Sequence, residues 1–246
     1  MPFAGMDIGS TMTKVAITDE QGKILSSHIG PTGAEHRHLA LKVMDETVSK
    51  AGLSFGELDF IVATGYGRIN VPFADRQIIK LDADGKVANF VMNDKCAAGT
   101  GRFLEVISET LGINLADMGD LALSANGFVQ ISNTCTVFAE HEVTSRLAEG
   151  AGVAEIVAGL HEAIASRVVN MTRHLGIEKD VVVTGGGAKN KGLVRAIAGK
   201  VGFPVLTPPE PFITGALGAA LVGKDFYDRG IRPAKERKRE DVKFFA

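Results

Sequence analysis

The chain has 246 residues, 45% of them hydrophobic and 23% charged, a globular composition too apolar for disorder and long enough for one large or two smaller domains. Lys and Arg number 27 against 29 Asp and Glu, a formal net charge of −2 that excludes a strong pull toward nucleic acid or an anionic membrane. The longest weakly polar stretch, residues 213–223, falls short of the roughly 20 residues of a bilayer span, and no basic leader precedes the first strand, so a cytoplasmic protein is expected.

Residues 3–29 read as three strands joined by tight turns. The first ends in Met6-Asp7-Ile8-Gly9-Ser10-Thr11, the second covers 14–18, and a turn at Glu20-Gln21-Gly22 leads into the third at 23–25. Leu39, Val43, Thr47 and Val48 at helical spacing predict a helix over 35–51. Residues 58–63 predict a buried strand that delivers the turn Thr64-Gly65-Tyr66-Gly67-Arg68. A second hairpin is expected from strands at 77–81 and 86–92 around Asp84-Gly85.

Helices then dominate, over about 101–111, 114–123, 138–149 and 154–175. A buried strand at 180–183 runs into the glycine-rich turn 184–190 and another helix. A short strand at 205–206 precedes a last helix starting near Thr214, and the charged tail 232–239 reads as a solvated end. Strands followed by helices, with glycines at the turns, predict an α/β fold that binds ligands at the carboxyl ends of its strands. The expected division is a first subdomain over 1–70, rejoined by the chain near 205–230, a second over 71–204, and a tail over 231–246.

Asp7-Ile8-Gly9-Ser10-Thr11-Met12-Thr13-Lys14 lies in a hairpin turn, so it is neither a Walker A loop nor a dinucleotide fingerprint. Gly9 lets the backbone approach an anion, and Ser10, Thr11 and Thr13 offer hydroxyl and amide donors to phosphate. Asp7 is placed to hold a metal-bound water. A polar turn with a buried Asp cap accounts for the same residues equally well. In Thr184-Gly185-Gly186-Gly187-Ala188-Lys189-Asn190 three glycines let a planar ligand or phosphate lie against the backbone at a helix N-terminus, or serve close packing alone.

The two cysteines, Cys96 and Cys135, sit in similar settings 39 residues apart, each in a Gly-, Ala- or Thr-rich loop before a helix. Backbone N–H groups there stabilise thiolate and inorganic sulfide alike. A Cys₄ iron–sulfur cluster needs four thiolates, which a two-fold interface supplies from two chains. Two inert core cysteines, or a redox-active pair, fit the spacing as well. Glu140, Glu142, Arg68 and Lys95 are weaker candidates for nucleotide, phosphate or subunit contacts, and the six histidines show no zinc spacing.

MDIGSTMTK, ATGYGR, NDKCAAGTGRFLE, NTCTVFAE, TGGGAKNKGL and PFITGALGAAL, in this order, resemble the nucleotide-dependent activator family for 2-hydroxyacyl-CoA dehydratases and benzoyl-CoA reductases. The resemblance implies the acetate/sugar kinase–Hsc70–actin fold, with two similar actin-like subdomains and ATP or ADP bound between them. It implies a 4Fe–4S cluster between two identical or homologous subunits, with Cys96 and Cys135 on the ligand positions. Asp7 would bind Mg²⁺ through water, residues 9–14 (Gly9, Ser10, Thr11, Thr13 and Lys14 among them) the phosphates, and Gly185, Gly186, Gly187 and Asn190 the adenosine side.

Hydrolysis would then move the subunits and pass an electron from ferredoxin to a catalytic partner at very low potential. Residues 30–37 and the ending Lys224-Asp225-Phe226 look more like a benzoyl-CoA reductase ATPase subunit than a free dehydratase activator. The dehydratase activator is the alternative, and a kinase-like or non-hydrolysing nucleotide-binding protein of the same fold a further one. One departure stands out. Roughly 30 residues of the family pattern, with an Asp-Ile-Gly-Gly-Gln-Asp type motif on a central strand, are absent between ATGYGR and the first cysteine loop. Their loss is expected to uncover apolar area at a cost on the order of several kcal/mol, and to spare nucleotide binding while impairing turnover.

Overall fold

The computed structural model describes residues 1–33, 36–65, 67, 74, 76–77, 101–132, 136–173, 176–233 and 237. They fall into two compact units, one within Met1–Ala88 and Phe212–Ala246, the other within Asn89–Pro211. Cys96, Cys135, Arg68, Lys95 and the hairpin expected over 77–92 lie outside the described residues, apart from a two-residue strand at Arg76–Gln77.

The first unit is a five-stranded sheet of β1 (Phe3–Ile8), β2 (Met12–Thr18), β3 (Ile24–Pro31), β4 (Phe60–Thr64) and β5 (Arg76–Gln77), in the order β3-β2-β1-β4-β5. β1–β2 and β2–β3 are antiparallel hairpins, while β4 lies parallel to β1 on its other side. β3 runs two residues past the strand region expected to end at 29, pairing with β2 as far as Pro31. Its polar Ser26, Ser27 and His28 suit a strand at the sheet edge.

Period-two alternation sorts the side chains between two helices. Ala4, Met6, Ile8, Val15, Ile17, Ile61 and Ala63 pack with Val43, Met44 and Val48 of α1 (His36–Lys50). On the opposite face Phe3, Phe60 and Val62 pack with Ala219, Phe226 and Tyr227 of α7 (Thr214–Asp228). Gly5 faces α7 as well, where a Cβ would run into the backbone of Ala216 and Ala220. The tail is not wholly solvated, because Arg237 donates to the carbonyls of Leu58 at 2.6 Å and Asp59 at 3.0 Å. Those two carbonyls precede β4 and are left for a side chain to satisfy.

The second unit is built on α5 (Val153–Thr172), whose Ile156, Val157, Leu160, Ile164, Ala165 and Val169 form the centre of its core. Around it lie α2 (Gly101–Leu111), α3 (Met118–Ser124, entered by a 3₁₀ turn at Leu115–Asp117), α4 (Thr136–Ala148) and α6 (Lys191–Val201). The strands expected at 180–183 and 205–206 reduce to one parallel bridge between Val182 and Leu206. Its bonds run from Val183 N–H to the Leu206 carbonyl and from Leu206 N–H to the Val181 carbonyl, both 2.8 Å. Val182 and Leu206 are each 52% exposed, so the bridge carries apolar side chains that the described residues leave open.

Candidate functional site

The same alternation that buries Met6 and Ile8 turns Asp7 to the α7 face. Asp7 pairs in register with Lys14 across the β1–β2 hairpin, and Lys14 Nζ lies 3.4 Å from Asp7 Oδ2. Lys14 is only 8% exposed, so this ammonium depends on that carboxylate.

Three stretches of backbone crowd the Asp7–Lys14 pair. Gly65, at φ +85° just after β4, would place a Cβ 2.5 Å from Asp7 Oδ1. A Cβ on Gly215, in the first turn of α7, would stand 3.0 Å from Asp7 Oδ2. Gly9 donates to the Met12 carbonyl at 3.1 Å, and a Cβ there would come within 3.0 Å of Lys14 Nζ. The result is a carboxylate and an ammonium at the end of a sheet, walled by glycines and facing the positive end of a helix, a setting suited to phosphate oxygens. Asp7 fits a divalent cation as a single carboxylate acting through water.

Gly65, Gly67 and Gly215 were outside the predicted site residues, although glycines after β4 and at the start of α7 are the signal that marks them. Gly67 N–H donates to the Ile8 carbonyl at 2.9 Å, tying the loop after β4 to the end of β1. Thr32 was also missed. Its hydroxyl donates to the Gly9 carbonyl at 2.8 Å, and its N–H to that of Thr11 at the same distance. Thr13 requires a correction, because its fully buried hydroxyl lies 3.1 Å from that of Thr32, on the α1 face. The pleat that aims Asp7 and Lys14 at α7 aims Thr13 away from them. Ser10 is exposed and Thr11 half-buried at the turn.

In the second unit, Gly185 adopts φ +81° and donates to the Pro211 carbonyl at 2.8 Å. Gly186–Lys189 then make one 3₁₀ turn into α6. A cavity of about 620 Å³ opens beside this turn, lined by Ala188, Lys189, Val194, Arg195, Val205 and Pro209 among others. Its volume suits a small organic ligand.

Asn190, expected on the adenosine side, has structural partners for its amide. Oδ1 caps α6 by accepting from Leu193 N–H at 2.9 Å, and Nδ2 lies 2.9 Å from Nε2 of His161 on α5. His161 is 1% exposed, and burial lowers its pKa from 6.5 to about 4. A lowered folded-state pKa means that the unfolded chain takes up the proton first. The contribution of His161 is therefore complete above pH 6.5 and falls on acidification toward pH 4, by about 1.4 kcal/mol per pH unit. Urea titrations at pH 7, 6 and 5 of the protein and of His161→Gln check this, with the slope reduced in the variant.

Cys96 and Cys135 are followed by described helices, α2 from Gly101 and α4 from Thr136. Glu140 and Glu142 have structural partners: Thr110 of α2 donates to Glu140 at 3.2 Å, and Ser132 N–H to Glu142 at 2.7 Å. Phe138, in the first turn of α4, is 66% exposed. Among the described residues no helix is long and apolar enough to cross a membrane.

The chain is 37% identical over 271 positions to a 2-hydroxyisocaproyl-CoA dehydratase activator of Clostridioides difficile, covering 96% of this chain and 97% of that one. It is 39% identical over 247 positions to an activator of lactoyl-CoA dehydratase from Anaerotignum propionicum, covering 88% and 95%. A solved structure of an activator of the 2-hydroxyisocaproyl-CoA dehydratase from Clostridium difficile, with bound ADPNP, superposes with a TM-score of 0.83 at 37% identity over 94% of this chain and 97% of that one. One of the subunits of the benzoyl-CoA reductase of Thauera aromatica is 25% identical, so the relatives favour the dehydratase activators over the reductase expected from residues 30–37.

An alignment of 271 positions cannot be filled by 246 residues, so at least 25 positions (271 less 246) of the C. difficile relative have no counterpart here. That shortfall is of the size expected for the absent phosphate-binding segment. The likeness reaches a sugar kinase at a TM-score of 0.51 and 12% identity, which shows the actin-like α/β fold alone. A family model for the BadF/BadG/BcrA/BcrD ATPase family matches residues 69–223. With that match and relatives above 35% identity over nearly the whole chain, this protein belongs to the BadF/BadG/BcrA/BcrD ATPase family.

Proposed function

We propose that this protein is an ATP-dependent activator of a 2-hydroxyacyl-CoA dehydratase, passing a low-potential electron to that enzyme. The observation that carries the proposal is the Asp7–Lys14 pair walled by Gly9, Gly65 and Gly215, within a chain 37–39% identical to two such activators. In the first unit this cradle takes the phosphates, with Asp7 holding Mg²⁺ through water. In the second unit the Gly185–Gly187 loop and the cavity beside it take the nucleoside. Binding of the phosphates there is electrostatic: a fixed ammonium, backbone amides and a helix N-terminus replace the hydration of the anion.

Cys96 and Cys135 hold half of a 4Fe–4S cluster, the other half coming from a second copy or a related subunit. The cluster, when bound, supplies one-electron chemistry. Such a cluster would let the protein take electrons from ferredoxin or a similar donor and pass them to the catalytic dehydratase component. The protein works in the cytoplasm.

Anaerobic purification tests this reading. The expected product is brown, with about four irons and four sulfides per dimer, and binds ADP and ATP. Cys96→Ala and Cys135→Ala should each abolish iron binding and weaken the dimer without removing nucleotide binding. A colourless protein that phosphorylates a sugar or acid would overturn it. A second reading rests on the 25 or more absent positions: nucleotide binding with impaired hydrolysis. It predicts ADP binding with no phosphate release from ATP, even after cluster reconstitution.

A further inference from the structure

We propose that His161 is a positioning residue for the nucleotide loop: its Nε2 holds the Asn190 side chain, and through it the end of the Gly185–Lys189 turn. This rests on reading that loop as the nucleoside site.

The chain of atoms is determinate. Leu193 N–H can only donate, so the Asn190 atom that meets it at 2.9 Å is the amide oxygen. The other amide atom is then nitrogen, which only donates, so His161 Nε2, 2.9 Å away, accepts. A neutral ring that accepts at Nε2 carries its proton on Nδ1. That Nδ1–H is buried and has no hydrogen-bond partner among the described residues.

Close packing surrounds the ring. A Cβ on Gly192 would sit 3.1 Å from Nδ1, 2.8 Å from the Gly119 carbonyl and 3.0 Å from Ala122. A Cβ on Gly119 would sit 2.9 Å from Asn190 Oδ1. Helices α3, α5 and α6 therefore pack closely around the His161 ring and the Asn190 side chain.

From Asn190 the constraint passes back into the turn. Its N–H donates to the Gly187 carbonyl, and Ala188 N–H to the Gly185 carbonyl, both at 3.1 Å. Ala188, Lys189 and Lys191, the neighbours of Asn190, line the cavity. A rotation of the Asn190 side chain moves the capped start of α6 and so re-aims these residues. His161, 24 positions before Gly185, thus controls the loop without facing the ligand.

His161→Leu removes the acceptor, whereas His161→Gln retains one in the place of Nε2. Titration with a fluorescent ADP, well below each variant's unfolding midpoint, should show Kd raised about tenfold in His161→Leu and within about threefold of wild type in His161→Gln. In the Asn190→Ala background His161→Leu should change Kd no further. A lowered unfolding midpoint with wild-type Kd in His161→Leu, or additive effects with Asn190→Ala, would overturn the inference and leave the nucleotide reading intact. A wild-type protein that binds neither ADP nor ATP would remove both. Should His161→Leu fail to fold, nitrogen NMR of the wild-type imidazole decides: the proton belongs on Nδ1, and a proton on Nε2 refutes the arrangement.

Discussion

Gly5→Ala is expected to unfold the first unit, or nearly so. The added Cβ would meet the Ala216 carbonyl and the Ala220 nitrogen, both backbone atoms of α7, with no flexible side chain to yield. α7 must then lift from β1, uncovering Phe3, Phe60, Val62 and Ala219 at once. Ordinary overpacking costs about 1–3 kcal/mol because side chains rearrange. Here a whole helix moves, and about 4 kcal/mol or more is expected, a range reserved for major disruptions. The same displacement withdraws Gly215 from Asp7, so ADP binding disappears with the stability. Gly218→Ala, elsewhere in α7, is the control. Nothing lies within 4 Å of a Cβ at Gly218, and the substitution should stabilise by about 0.5–1 kcal/mol through helix propensity. Equal unfolding midpoints in urea for the two variants would refute the close approach of α7 to β1.

The second large effect separates folding from function at the Asp7–Lys14 pair. Asp7→Ala leaves Lys14 as a buried cation without its carboxylate, and a loss of about 2–4 kcal/mol is expected. Replacing both residues, Asp7→Leu with Lys14→Met, removes the charge imbalance and should recover most of that stability, because apolar replacements of buried pairs are often neutral. ADP binding in the presence of Mg²⁺ should nevertheless fall at least about 100-fold in both variants, on the scale of 1.4 kcal/mol per factor of ten. Calorimetric titration and urea denaturation on the same preparations check the two halves. A double variant that is stable and still binds ADP tightly would show that the pair is a structural device alone.

Glycine placement made the site legible before the fold was known. A turn with Asp and several hydroxyls after a first strand, and three consecutive glycines before a helix, mark places where backbone can approach a ligand. Strand and helix identities in the first unit were readable for a similar reason, since alternation at 3–8 and helical spacing at 39–48 are local patterns. The last two residues of β3 were not, because an edge strand answers to its pairing with β2 rather than to a hydrophobic face. Asn190 reads as a ligand contact because a polar residue after three glycines looks the same whether it meets a ligand or caps the next helix.

By itself the sequence determined the family, the α/β class, the two glycine loops and the pairing of chemistry with turns, because these depend on residue type and near-neighbour spacing. Only the tertiary structure decided which way each side chain faces and what it meets. Thr13 and Lys14 are adjacent in the chain, yet the pleat sends one to Thr32 and the other to Asp7. His161 carries no motif, and its role comes from three helices closing on an asparagine 29 residues away. Contacts of that kind arise from packing between elements, and local spacing carries no record of them.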